Sequence, residues 1–366
     1  MQRSLPTTER ALVERAAAVV SVPKSAPADS FVLHAPLELM ARVQLLSHVA
    51  PSARGAALGM IEWLAERYAA AGDPVADPRR VRVDDPIDAV ADLLVAMAAG
   101  DLDSVDALAA AALPRMSARE VAGLVGEAVA PSLAAAGHAP IGLALLARES
   151  ATPLPTTLLR GALRGIASQP AWRLTWFRGH DERGNPAALH EALRATPHLG
   201  RPGSDFIFPL MSQVQDRGVT ERLLAPVLAD RFDTAAAART LSRVAAWSMV
   251  HDDPGQAPYG WSHCLTMPQA VMALAGAGVR ARTALAVAAT FTVGFRAAHG
   301  TVELPARIEP GLLPDASVEE MATAASLHED AHLVKHTLAC LHAAEADPEF
   351  GPLHLSAAAR LVEWWQ

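Results

Sequence analysis

The sequence predicts an all-α protein: a single compact multi-helix domain with a candidate metal centre between its helices. Three observations carry that expectation. Hydrophobic residues make up 51% of the 366 residues while aromatics reach only 5%, and alanine is abundant, a composition that favours close-packed helices over a sheet rich in Val, Ile, Tyr and Thr. Helical periodicity recurs from end to end. Several histidines fall at helix starts or inside apolar helical segments, where an unpaired polar ring is costly.

In chain order, the periodicity predicts helices over roughly 8–21, 35–49, 53–71, 86–99 and 117–136, with Thr8 and Ser117 as N-caps. Ser117 and Glu120 have capping-box spacing. Further helices are expected over roughly 139–149, 155–168, 186–195, 219–230, 233–250, 263–277 and 280–298. Asn185 caps the one at 186, with Pro186 at its first position. A long helix over roughly 317–345, opened by the Ser317–Glu320 capping box, and a last one over 353–365 complete the chain.

Residues 1–30 read as an N-terminal helix and linker, and 31–366 as one helical domain. Pro/Gly-rich connections at 72–86, 169–185, 196–204, 251–262 and 300–316 are too short and too apolar in their flanks to be disordered linkers. No fixed period recurs, which argues against a solenoid. The connection QPAWRLTWFRGHDERGNP carries Trp172, Trp176 and Phe177. Those rings either anchor it to the core or cover a substrate.

A net charge of −8 with no basic run gives no electrostatic footprint for nucleic acid or an anionic membrane. Glu9, Arg10, Glu14 and Arg15 interrupt the apolar core that a signal peptide needs, and no stretch approaches the ~18 apolar residues of a membrane span. Cys264 and Cys340 read as reduced thiols. The expectation is a soluble cytoplasmic protein. Gly-rich nucleotide loops and the G-x-S-x-G elbow are missing from the sequence, so electrons for any redox step would come from the substrate or a separate donor.

Only two of the 31 Lys and Arg residues are lysine, Lys24 and Lys335. Lys335 stands in SLHEDAHLVKHTLACLH, the densest histidine cluster of the chain. Unlike arginine, a lysine amine can be neutralised by burial and then act as a base or as an acceptor of CO2. On one continuous helix His328, His332 and Lys335 would share a face at i, i+4 and i+7, with Glu329 and Asp330 turned away. His34, His138 and His263 lie in three other apolar helical segments. Neutral imidazoles converging from separate helices are how a bundle builds a metal centre.

HAPLELMARVQLL, GHAPIGLALLARE, SHCLTMPQAVMAL and DAHLVKHTLACL resemble, in order, four motifs of the questin oxidase-like proteins. The resemblance implies an all-helical fold holding non-haem Fe(II) through four histidines and, as in one characterised branch of the family, a lysine carboxylated by CO2. Motif by motif, it puts His34, His138, His263 and His332 in the histidine positions and Lys335 on the lysine, as ligand or nearby base. It implies an oxygenase that uses O2, with or without an external reductant, to oxidise or open a ring of a polycyclic aromatic of polyketide or quinone type. Fungal members carry further histidines beside the first two motifs, and here Leu37–Ala41 and Gly142–Leu145 contain none. A flat substrate would need an apolar slot, for which Trp172, Trp176 and Trp261 are the expected walls, with Phe177, Trp247, Phe291 and Phe295 also available.

Three other readings stand beside this one. The fold could serve as a metal-free binding or scaffold protein. His251-Asp252 has the His-Asp step of metal phosphohydrolases. Glu329-x-x-His332, with Glu38 on the helix of His34, has the spacing of a carboxylate-bridged di-iron bundle.

Overall fold

The computed structural model describes residues 5–25, 29–148, 153–179, 183–203 and 207–365. Among them are seventeen α-helices and two isolated β-bridges, Lys24 with Pro74 and Ser132 with Arg173. The chain is all-α, as its composition predicts.

Three helices build an N-terminal layer: α1 (Thr7–Val20), α2 (Ser30–Leu45) and α3 (Arg54–Ala70). They bury Val13, Ala17, Leu39, Ile61 and Leu64 against one another, so the helix in residues 1–30 packs directly on α2 and α3. Thr8 is not its cap, because the helix starts at Thr7 behind Pro6. The second helix starts at Ser30, earlier than the sequence pattern indicates. Asp29 accepts from Val32 N there, and Pro36 is tolerated inside the helix.

Next come α4 (Pro86–Ala99), α5 (Leu102–Ala112), α6 (Ala118–Val129), α7 (Ala139–Ala147) and α8 (Arg160–Ser168). Gly100, at φ 75°, closes α4 and lets the chain reverse into α5. Helix α6 has the predicted capping box but ends at Val129, short of the predicted 136. Helices α9 (Leu189–Arg194), α10 (Ile207–Asp216) and α11 (Val219–Leu224) are short, and α12 (Thr234–His251) is long. The remaining helices are α13 (Ser262–Ala275), α14 (Ala281–His299), α15 (Val318–Leu327), α16 (Ala331–Ala346) and α17 (Gly351–Trp364).

The main core surrounds α13 and α14. Helix α14 is buried on every side from Thr283 to His299, as expected of a helix whose whole circumference is apolar. Helix α13 packs on α7, α12, α14 and α16, and α2 packs on α7 and α16. Helices α2, α7, α13 and α16 therefore close a ring around one interior point. No helix among the described residues is long and apolar enough to cross a membrane.

The predicted helix over 317–345 is two helices. Ser317 and Glu320 form their capping box, but α15 stops at Leu327 and α16 begins at Ala331 with Asp330 as N-cap. The break at 328–330 is held from outside. Arg42 Nη1 donates to Ser326 O at 2.7 Å and Nη2 to His328 O at 2.5 Å.

Candidate metal centre

Each helix of the ring contributes one histidine at or near its N-terminal end. His34 lies in α2, His138 is the N-cap of α7, His263 lies in α13 and His332 in α16. All four are at least 94% buried. Their rings touch: centroids are 4.4 Å apart for His34–His138 and His34–His332, 4.9 Å for His263–His332 and 5.3 Å for His138–His263. His34, His263 and His332 can each offer a donor atom within 4.8 Å of the others, close enough for one ion. His138 Nε2 stands 3.2 Å from His263 Nε2.

The outer nitrogen of every ring is committed. Nδ1 of His34 meets Ser30 O at 2.5 Å, Nδ1 of His138 meets Ala135 O at 3.0 Å and Nδ1 of His263 meets Tyr259 O at 2.5 Å. In His332, Nδ1 meets Asp330 Oδ1 at 2.9 Å. Carbonyl and carboxylate oxygens only accept, so each Nδ1 carries the proton and each Nε2 is left with a lone pair. Outer hydrogen bonds of this kind orient metal-binding histidines and fix their tautomer. Burial, aided by the neighbouring Lys335 and rings, holds His34 well below its ordinary pKa and His263 at about 3. His138 and His332 are lowered in the same way, chiefly by burial. The cluster is four neutral imidazoles, of which His34, His263 and His332 form the group within reach of one ion, while His138 packs against them outside that group.

Local backbone supplies those outer oxygens. Before His138, Ala135, Ala136 and Gly137 have φ of 49°, 52° and 65°. Two alanines in that left-handed region store strain of order 1–3 kcal/mol each, and the turn brings Ala135 O onto the His138 ring. Before His263, one π-helical turn at Ala257–Trp261 presents Tyr259 O, a feature frequent at functional sites. Tyr259 also sets its ring edge-on against His332 at 4.9 Å.

Lys335, one turn beyond His332, is 96% buried and its Nζ has no hydrogen-bond partner. Burial lowers its pKa to about 7 against the opposing fields of Asp330 and Glu38. Glu38 lies one turn beyond His34. Its Oε1 takes Nε and Nη2 of Arg42 at 2.8 and 2.5 Å, and its Oε2 has no partner. His34 Nε2 is likewise buried without one. Neutral imidazoles, an amine that can deprotonate and unsatisfied buried atoms are a donor set suited to a divalent first-row metal.

Other residues singled out by sequence lie elsewhere. His328 is outside the helix of His332. Its Nδ1 accepts from Asp330 N at 3.0 Å, and its ring lies 5.3 Å from that of Trp365. Asp330, expected to point away, is the partner of His332. Its sequence signal is that of a helix N-cap, an Asp two residues ahead of the histidine it supports. His336 is buried on another face of α16, against Ala357 O and Cys340 Sγ. Glu329 is exposed. Asp252 is locked by Arg296 Nη1 at 3.0 Å and by the Thr301 and Val302 amides at 2.7 and 2.8 Å, while His251 is exposed. That accounts for the His-Asp step by structural contacts.

Two cavities border the cluster, one of about 520 Å³ reaching Lys335 and one of about 420 Å³ reaching His138. Trp172, Trp176 and Trp261 line neither. Trp172 stacks on Phe208, Trp176 Nε1 donates to Thr290 Oγ1, and Trp261 is buried edge-on to His299.

Fold and site together define an all-helical protein with a buried histidine group that can hold a metal ion. No family model matches the chain, and no curated protein matches it.

Proposed function

We propose that the protein is a mononuclear non-haem iron-dependent oxygenase that uses O2 to oxidise or cleave a ring of a polycyclic aromatic substrate of polyketide or quinone type. One observation supports it above the rest: four buried imidazoles pack ring to ring, each with Nδ1 tied to an acceptor, and three of them, His34, His263 and His332, can bring donor atoms within 4.8 Å of one another in the neighbourhood of an unpartnered lysine amine. Without a cation such an arrangement is self-repelling. The likeness of the four motifs around these residues to the questin oxidase-like proteins supports iron and an aromatic substrate.

In this reading His34, His138, His263 and His332 hold Fe(II), and Lys335 either ligates it after carboxylation or serves as a base. Bound iron would supply the site for activating O2. The chain does the rest. Asp330 and the three backbone carbonyls fix the ring orientations, and burial keeps the rings unprotonated at neutral pH. Lys335 Nζ, with a pKa of about 7, takes up or gives up a proton under working conditions. The ring of helices keeps bulk water from the cluster.

Anaerobic loading with Fe(II), metal analysis, and oxygen uptake against a panel of anthraquinones and anthrones test the proposal. Stoichiometric iron and substrate-dependent uptake are expected. Protein that retains no iron after reconstitution sinks it, and iron-loaded protein that consumes oxygen only with small non-aromatic substrates removes the aromatic assignment.

A further inference from the structure

The cavity of about 520 Å³ that ends on Lys335 lies among α2, α6, α7, α12, α13 and α16. Ile141, Ala144, Ala270, Leu338 and Ala339 give it an aliphatic wall, and Thr266 and Gln269 add polar groups. Among the described residues its charged lining is of one sign. Lys335 stands at the inner end, and Arg119 and Arg148 also line it. Among the described residues no Asp or Glu lines it, although the chain has 39 of them and a net charge of −8. A surface groove of about 780 Å³ shares Arg119 and Arg148 with the cavity and, among the described residues, is also lined by no carboxylate.

These two arginines mark the outer end. Arg119 is exposed in the first turn of α6. The Arg148 side chain is 45% exposed and meets Glu345 only at 3.4 Å, in a pair open to solvent on both sides. Such a pair is weak and leaves guanidinium donors free for another acceptor. A cleft lined by one sign of charge between low-dielectric walls concentrates ions of the opposite sign. The planar guanidinium fork matches a carboxylate in two parallel hydrogen bonds. The cavity falls within the roughly 300–1,000 Å³ of small-molecule sites.

We infer that this cavity is the substrate's route to the histidine cluster and that the substrate is an organic anion, its carboxylate held by Arg119 and Arg148 and its apolar body laid along Ala270, Leu338 and Ala339 toward Lys335. The inference rests on the reading of the cluster as the reaction centre. Its test is binding, which does not require turnover.

Calorimetry on anaerobic, iron-loaded protein compares anthraquinone-2-carboxylate with anthraquinone-2-carboxamide, and decanoate with decanamide. At least one carboxylate should bind about tenfold or more tightly than its amide, as charge-assisted pairing with arginine requires. In the double variant Arg119→Ala, Arg148→Ala the preference should fall below about twofold, with the melting temperature unchanged because both side chains are at the surface. Equal affinities for acid and amide, no binding of either carboxylate, or a preference that survives in the double variant overturns the inference. Oxygen uptake is scored separately. Selective carboxylate binding without uptake leaves the anion route standing and sinks the oxygenase reading, whereas uptake driven equally by acid and amide does the reverse.

Discussion

His138 Nε2 faces His263 Nε2 at 3.2 Å, a hydrogen-bond distance, yet the hydrogen bonds on the far side of both rings leave neither nitrogen a proton to share. Two lone pairs at that separation repel, and burial strengthens the repulsion by lowering the local dielectric. A metal ion between the rings relieves it. His138→Ala and His263→Ala should therefore each lower metal affinity by at least about tenfold, the scale on which even outer-shell changes act. Equilibrium dialysis followed by metal analysis provides the check. Unchanged affinity in both variants would mean that the rings pack against each other for another reason.

Asp330 offers a more selective test. It caps α16 through His332 N and orients the His332 ring through Nδ1, both with Oδ1. Asparagine caps helices as well as aspartate does, so Asp330→Asn keeps the helix start while removing the charge beside the ring. Metal affinity should fall about 10–100-fold with little change in melting temperature. A parallel loss of helical stability, read by circular dichroism, would show that the residue acts only as a cap.

Much of this was legible in the sequence, for reasons that particular residues make plain. His34, His138 and His263 stand among apolar residues where a lone imidazole is costly, and Lys335 is one of two lysines in an arginine-rich chain. The Ser117 and Ser317 capping boxes form as written. Helices α5 and α10 were not legible, because α5 follows Gly100 after a turn too tight to separate two alanine-rich runs, and α10 carries Pro209 near its start. The break at 328–330 was hidden because the i, i+4, i+7 pattern continues across it. Asp330 carries an N-cap signal there, but the grip of Arg42 that holds the turn comes from far away in sequence. The lining of the cavity that reaches Lys335 was not legible for a related reason. Composition shows which rings exist, whereas which side chains α7, α13 and α16 turn toward this cavity, alanine and leucine among them, depends on how the helices pack.

Metal-free protein should lose stability in acid. The folded pKa of His263 is about 3 against an ordinary 6.5, with burial as the main cause. Between those values the unfolded chain binds more protons than the folded one, so stability falls as pH drops from about 6.5 toward 3. Lys335 acts the same way in a higher window. Its folded pKa of about 7 lies below the ordinary 10.5, so stability rises from about pH 7 toward 10.5. Melting temperatures of chelator-treated protein should thus climb from pH 4 to pH 9, and Lys335→Met should flatten the alkaline limb. A curve that peaks near pH 6 and declines above it would contradict the neutral cluster.

Lys335→Arg separates chemistry from charge. Lys335 is buried with an unpartnered Nζ that is largely neutral above about pH 7. Arginine stays protonated throughout the working range, so it would place a permanent charge among four imidazoles and could neither ligate nor take up CO2. Metal affinity and oxygen consumption should both collapse in Lys335→Arg, by about a hundredfold or more if a buried unpaired charge costs the usual several kcal/mol. Lys335→Glu supplies a carboxylate on a shorter stem and should regain part of the metal affinity. Carbon-13 bicarbonate added to metal-loaded protein at pH 8 should give a carbamate resonance that is lost in both variants. If Lys335→Arg binds metal and consumes oxygen as well as the parent, the amine has no part in the centre. If the parent is active but shows no carbamate signal, Lys335 works as an unmodified base, and the rate should then rise with pH through about 7, as the amine loses its proton.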